Sequence, residues 1–299
     1  MGKTQEARRA FKTDRILNIA LNSNHSVQTP LRYPGGKSTL TSFFSELIEF
    51  ANCGSPTFIE PYAGGAGVSL RLLSEQKVSR VVINDYDPAV YSFWHNAVNR
   101  SDDFAKAFFS IEPTIEEWHR QKKVLAHSSS SLERGVAFLF LNRTNRSGVI
   151  NGGVIGGLSQ EGNYKIDARY NKKTLADKLS FLKKNASKIT VRNEDGGELI
   201  REYSCREDAF FYVDPPYVEK GKSLYLNALA ESDHRALSDV LHGMRNSRWV
   251  LTYDDATLVK ELYSDCFGGR FSLSYSALSR RRAEELMFFS DCLWPLMER

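Results

Sequence analysis

Cysteine is scarce in this 299-residue chain: four residues, Cys53, Cys205, Cys266 and Cys292, with no Cys-x-x-Cys pair and no histidine cluster. That argues against a zinc framework or a disulfide scaffold, and no bound metal is expected. Long apolar runs are missing as well. No stretch approaches the roughly 20 apolar residues of a membrane span, and no apolar segment of the signal-peptide kind follows Met1. Glu6 stands where a myristoylation motif needs Ser or Thr. The expectation is a cytoplasmic protein with no membrane partner. No internal repeat is visible, and hydrophobic (41%) and charged (25%) contents are those of an ordinary globular domain.

An excess of one charge is also missing, since the net value is only +4, but the charge is unevenly spread. Arg134 to Thr190 carries eleven Lys/Arg against three acids, a net of +8 that leaves −4 for the remainder. A positive field confined to one segment suits a polyanionic partner, although a solvated helical face would give the same count.

What is present is a strand–helix alternation. Apolar runs predict buried strands at 57–59, 80–83, 189–192, 209–213, 248–253 and 285–290. Helices are predicted near 38–51, 66–77, 88–99, 196–203, 232–245 and 255–264. This pattern is an α/β, doubly wound sheet interrupted between about residues 100 and 187. The interruption begins with charged, helix-like sequence at 103–125 and a second helix at 134–141. A glycine-rich stretch from Gly148 to Gly162 then reads as hairpin-like. The expected organisation is a tail or extra helix over 1–28, a catalytic domain from 29–100 and 187–299, and an inserted, mainly helical module over 101–186.

Three stretches carry chemistry. Asp214-Pro215-Pro216-Tyr217 follows the run Ala209–Val213, so the prolines must end that strand and leave a carboxylate, a carbonyl and a ring at its carboxyl end. Ligands bind there in open α/β sheets. The set suits a flat base with an exocyclic amine: the ring stacks, while Asp214 and the Pro215 carbonyl accept N–H bonds. Glu60-Pro61-Tyr62-Ala63-Gly64-Gly65-Ala66-Gly67 follows the first strand, and Asp85 lies twenty positions past Gly65, where a carboxylate can take ribose hydroxyls. The dinucleotide fingerprint fails because Leu70 occupies its last glycine position, so a nucleoside cofactor without pyrophosphate fits better than NAD. Leu31-Arg32-Tyr33-Pro34-Gly35-Gly36-Lys37-Ser38 ends like a P-loop, but Leu31 stands in place of the first glycine, which argues against ATPase chemistry.

These elements, in this order and spacing, resemble the Dam-type DNA adenine-N6 methyltransferases, with a likeness running over about nine-tenths of the chain. The resemblance implies a Rossmann-like methyltransferase fold and S-adenosyl-L-methionine as methyl donor. Tyr33 and Lys37 would lie near the donor's methionine end, Glu60, Pro61, Tyr62, Ala63, Gly64 and Gly65 would wrap it, Asp85 would take its ribose, and Asp195 its adenine amine. The implied reaction is direct transfer to the N6 amine of an adenine flipped out of double-stranded DNA, with Asp214 and Pro215 accepting the amine protons and Tyr217 stacking on the base. Aspartate before Pro-Pro-Tyr leans, within the family pattern, toward adenine. No cysteine follows a proline, which the covalent cytosine-C5 enzymes require.

The insert would then be the target-recognition domain. Asn142 and Arg143 match the family's Asn-Arg loop, but Arg146 stands where an aromatic is common and Ser147 where Asn is, so no recognition sequence is implied. Lys165, Arg169, Arg280 and Arg282 complete the expected DNA contacts. A cognate restriction nuclease is an expected partner, and the oligomeric state is open. Two other readings stay open: a cofactor-binding but catalytically silent DNA-binding regulator, and an RNA adenine methyltransferase.

Overall fold

The computed structural model describes residues 15–17, 19, 21, 28–33, 36–218, 229–275 and 281–297. Its centre is a seven-stranded sheet: β1 (Thr57–Glu60), β2 (Arg80–Asn84), β3 (Ile189–Arg192), β4 (Ala209–Val213), β5 (Arg248–Asp254), β6 (Phe267–Tyr275) and β7 (Arg281–Phe289). The strand order is β3-β2-β1-β4-β5-β7-β6. The first five strands pair in parallel, while β7 runs antiparallel to both β5 and β6. The chain builds outward from β1 through β2 to β3, then returns to β4 on the other side of β1. The β1/β4 boundary is thus the topological switch point, where the loops diverge and leave a crevice.

Eleven α-helices are described: α1 (Thr41–Phe50), α2 (Gly67–Ser74), α3 (Pro88–Asn99), α4 (Ser101–Phe109), α5 (Ile115–His127), α6 (Ser131–Thr144), α7 (Lys172–Lys184), α8 (Gly196–Tyr203), α9 (Glu231–His242), α10 (Thr257–Leu262) and the short α11 (Trp294–Met297). Strand alternation sorts the core into two layers. Phe58, Val81, Ile83, Phe210 and Tyr212 point to one face and pack with Phe44 of α1 and Phe93 and Trp94 of α3. Ile59, Val82, Phe211 and Val213 point to the other, against Leu199 of α8, Leu237 and Leu241 of α9 and Val259 of α10. Phe58 and Phe210 stack at 5.8 Å across β1 and β4, so aromatic packing joins the two strands at the switch point.

Local chemistry sets the helix starts. Asp87 caps α3 by accepting from Ala89 N and Val90 N, with Pro88 at the first helical position. Thr114 caps α5, Ser130 caps α6 and Asn171 caps α7 in the same way. Helices α4 to α7 occupy the interval between β2 and β3. Phe138, Leu139 and Phe140 of α6 and Leu175 of α7 belong to the same buried cluster as Phe58 and Phe93.

Three expectations need correction. The strand expected at 285–290 runs from 281 to 289, and its hairpin partner β6 was not foreseen, because Gly268 and Gly269 interrupt its apolar pattern. Among the described residues, the glycine-rich stretch after Gly148 forms turns around a single bridge, Asn145 to Val154, and no named strand pair. Ser147, Gly148, Gly156, Gly157 and Gln160 all have positive φ, which extended pairing does not tolerate. Within the first 28 residues, Ile16 bridges in parallel to Arg270 at the sheet edge, so at least this part is neither a free tail nor a helix.

Candidate active site

A cavity of about 490 Å³ opens at the carboxyl ends of β1, β2 and β4. Its lining includes Tyr33, Lys37, Glu60, Tyr62, the stretch Ala63 to Val68, Asp85, Asp195 and Asp214, so most residues singled out for the cofactor come together. Pro61, Pro215 and Tyr217 are not in the lining, whereas Pro216 is.

The turn after β1 is built by backbone constraint. Gly64 has φ +46, and a Cβ there would come within 2.5 Å of the Tyr33 ring, so only glycine lets Tyr33 lie on the turn. Trp94 Nε1 donates to the Gly64 carbonyl at 2.9 Å and Gly64 N donates to Asp85 Oδ2 at 3.0 Å. Asp85 Oδ1 accepts from Asp87 N at 2.9 Å. Asn84, fully buried, donates to the carbonyls of Pro61 and Glu194 and accepts from Glu194 N, which locks the turn to the loop after β3. That loop presents Asp195, whose Oδ1 caps α8 through Glu198 N at 3.0 Å. Gly196 lets Tyr62 approach so closely that an added Cβ would lie 2.3 Å from its ring.

Two carboxyls of this cavity are strongly perturbed. Burial pushes Glu60 up to about 7, against a hydrogen bond from Ser69 N to its Oε1 at 2.8 Å. Burial likewise lifts Asp85 to about 7, opposed by the amides of Asp87 and Gly64. Each Asp85 oxygen accepts one backbone N–H and retains a lone pair. A cavity of this size with such a carboxylate bonded to a glycine turn in its wall fits a nucleoside-containing cofactor.

The Asp-Pro-Pro-Tyr motif is embedded in a polar network. Lys37 is 4% exposed, and its Nζ lies 2.8 and 3.1 Å from the two Asp214 oxygens, 3.1 Å from Glu285 Oε2 and 3.0 Å from the Tyr217 hydroxyl. Tyr217 donates to Glu285 Oε1 at 2.6 Å. Thr252 Oγ1 donates to Asp214 Oδ1 at 2.7 Å and lies 3.2 Å from the Tyr212 hydroxyl. Asp254, paired in register with Glu285 across β5 and β7, accepts from Val218 N at 3.1 Å and fixes the exit from the motif. Burial holds the Asp214 carboxyl above its ordinary value, with Lys37 the main opposing influence and Glu285 reinforcing the rise. Both lone pairs of Asp214 Oδ1 are engaged, by Lys37 and Thr252, while Oδ2 is met by Lys37 and has a second lone pair for an incoming N–H. Glu285, Thr252 and Asn84 were missed from sequence. Glu285 shares strand parity with the core residues Met287 and Phe289, and an acid at an inward position was the available signal.

The residues expected at DNA are placed differently from one another. Asn142 is 1% exposed and bonded to backbone throughout: it accepts from Arg32 N and donates to the carbonyls of Arg32 and Gly148. It positions the segment before Tyr33. Arg143 is half-buried, donates to the carbonyls of Arg169 and Pro30, and is pushed down to about 10 by burial and by Arg32 and Arg169. Lys178, missed from sequence, donates to the Thr29 carbonyl and is pushed down to about 8 by burial and Arg143. Arg32, Arg143, Arg169 and Lys178 thus form a cationic group with no carboxylate partner among the described residues. Arg146, Lys165 and Arg169 are exposed. Arg282 pairs with Ser274 between β6 and β7, and Arg280 lies outside the described residues.

A doubly wound sheet with β7 inserted antiparallel beside β5, and a nucleoside-sized cavity at its switch point, defines a Rossmann-like methyltransferase. Residues 33–280 match the family described as D12 class N6 adenine-specific DNA methyltransferase. The chain belongs to that family and is an adenine-specific DNA methyltransferase. It is similar to the type II methyltransferase M.MjaIII of Methanocaldococcus jannaschii, 24% identical over 68% of this chain and 73% of that protein. It is also similar to a DNA adenine methylase of Vibrio cholerae, 22% identical over 86% of this chain and 94% of the relative. The type II methyltransferase M.CviBI of Paramecium bursaria Chlorella virus NC1A is 22% identical over 82% and 90%. No helix among the described residues is long and apolar enough to cross a membrane.

Proposed function

We propose that the protein transfers a methyl group from S-adenosyl-L-methionine to the N6 amine of an adenine flipped out of duplex DNA, in the cytoplasm where that DNA lies. The observation that carries the proposal is the remaining lone pair of Asp214 Oδ2, on a carboxylate clamped by Lys37 and Thr252 at the cavity. Bound S-adenosyl-L-methionine would supply an electrophilic methyl carbon; the other requirements fall on the protein. Tyr33, Lys37, Glu60, Pro61, Tyr62, Ala63, Gly64 and Gly65 would hold the donor, with Asp85 at its ribose and Asp195 at its adenine.

Asp214 Oδ2 and the Pro215 carbonyl would accept the two amine protons, favouring a nitrogen whose lone pair is free of the ring. The carboxylate is already oriented, so little reorganisation accompanies the reaction. Tyr217, with its hydroxyl held by Glu285 and Lys37, would offer its ring to the base and offset part of an unstacking cost of a few kcal/mol. Residues 101–186 would form the target-recognition module, with Arg143, Arg146, Lys165 and Arg169 meeting DNA and Asn142 acting through the Arg32 backbone. The type II names of two relatives bring a cognate restriction nuclease into the same proposal.

The test is incorporation of tritiated methyl from S-adenosyl-L-methionine into duplex DNA by wild type and Asp214→Ala, with RNA of matched sequence in parallel. The expected result is transfer to DNA only, falling by at least about a hundredfold in the variant. Equal incorporation by both proteins, or a preference for RNA, overturns the proposal.

A further inference from the structure

The last turn of α9 and the entry to β6 bring together three side chains that the methyltransferase site does not use. His242 lies nine residues beyond Asp233 of the cavity wall, roughly 14 Å further along the helix. We propose that His242, Asp265 and Cys266 form a transition-metal site of the Zn²⁺ type. Nε2 of His242 is 2.9 Å from Asp265 Oδ1 and 3.6 Å from Cys266 Sγ, and that sulfur is 3.9 Å from the same oxygen. Tetrahedral Zn²⁺ has bonds of about 2.0–2.3 Å to nitrogen, oxygen and sulfur, which places neighbouring ligand atoms roughly 3.3–3.6 Å apart. The three atoms form a triangle of 2.9, 3.6 and 3.9 Å, close to one face of such a tetrahedron and brought to it by shifts of a few tenths of an ångström. Asp265 is 54% exposed, so water reaches the fourth corner.

The surroundings are those of a ligand set. His242 Nδ1 is 2.7 Å from the Ser238 carbonyl, so that nitrogen carries a proton and donates it. That contact turns Nε2 toward the Asp265 oxygen at 2.9 Å and the Cys266 sulfur at 3.6 Å. The thiol at the third corner matches the metal. Arg245 holds the other oxygen of Asp265, and the Tyr263 ring stacks on the imidazole at 5.8 Å, fixing the orientation of two ligands. A sulfur–imidazole–carboxylate set selects Zn²⁺ over Mg²⁺ or Ca²⁺. It is not a nucleophilic triad, because thiol and acid meet the same ring nitrogen, whereas an orienting acid must hold the other one.

The ion would cross-link the end of α9 to the hairpin that delivers Glu285, a structural role outside the chemistry. The full-length protein, stripped with a chelator, is titrated with Zn²⁺ alone against a chromophoric competitor. Co²⁺ then reports thiolate coordination through its charge-transfer absorption. One equivalent of Zn²⁺ and a charge-transfer band are expected, both lost in Cys266→Ser and His242→Ala and both retained when Cys205 and Cys292 are replaced by serine. Asp265→Asn changes an exposed side chain, leaves the circular dichroism unchanged and weakens Zn²⁺ binding by at least about tenfold. Absence of stoichiometric uptake by wild type, or uptake that survives Cys266→Ser and instead follows Cys205 and Cys292, overturns the proposal.

Discussion

Lys37→Met removes one positive charge from between two acids and leaves the shape of the side chain nearly intact. Side-chain exposure is 2% for Lys37, 22% for Asp214 and 4% for Glu285, so solvent cannot replace the ammonium. Breaking a buried pair by deleting one partner costs about 3–5 kcal/mol. The Tyr217 hydroxyl loses a donor as well, adding about 1 kcal/mol. A loss of about 4–6 kcal/mol at pH ~8 is therefore expected. It has a definite pH dependence. Burial already raises the Asp214 carboxyl, and Lys37 is the main influence holding it down, so the substitution raises it further. An acid whose folded pKa exceeds its unfolded one binds more protons when folded, and its destabilising effect grows as pH rises through the interval between the two values. The deficit should thus shrink toward the ordinary carboxylate range near pH ~4 and grow as pH rises above it. Urea denaturation of both proteins across this range, without cofactor, measures it. A deficit below about 1 kcal/mol at pH ~8, or one independent of pH, would falsify the account of Lys37 as the counter-ion of both acids.

Glu60→Gln should flatten part of the stability profile: the wild-type acid, buried and raised to about 7, destabilises the fold increasingly from its ordinary value upward. The variant should gain up to about 3 kcal/mol at pH ~8 in chemical denaturation, and parallel curves for the two proteins contradict this. Asn142→Ala strips partners from Arg32 N and from the carbonyls of Arg32 and Gly148, so a loss of about 2–3 kcal/mol is expected by thermal and urea unfolding. A near-neutral result would mean those backbone groups find water. Arg146→Ala, at an exposed position, should leave stability within about 0.5 kcal/mol of wild type while lowering duplex affinity. A phosphate contact also reduces the slope of log affinity against log salt by about 1, and unchanged affinity rules Arg146 out of the interface.

The parallel strands were legible because each is a short apolar run bounded by polar or turn-forming residues, and β4 ends where Pro215 and Pro216 forbid its continuation. The cavity was largely legible too, since Glu60, Gly64, Asp85 and Asp214 stand at strand ends, where side chains from separate runs must converge. Strand β6 was not, because two glycines blur its alternation and its partner β7 supplies the register. The turn-rich stretch after Gly148 misled in the opposite way. Glycines there signal positive φ as much as hairpin turns, and only the backbone decides between them.

From sequence alone, the order of elements, the presence of an acid at the end of β4 and the charge of the region between β2 and β3 were determined, because they depend on residue type and local spacing. Tertiary structure decided what surrounds each group. It put Glu285 beside Lys37 and Tyr217, enclosed Asn142 among backbone groups, and joined His242 to Cys266 across twenty-four positions. Burial, counter-ions and ligand geometry arise from contacts between distant segments, and no local pattern encodes them.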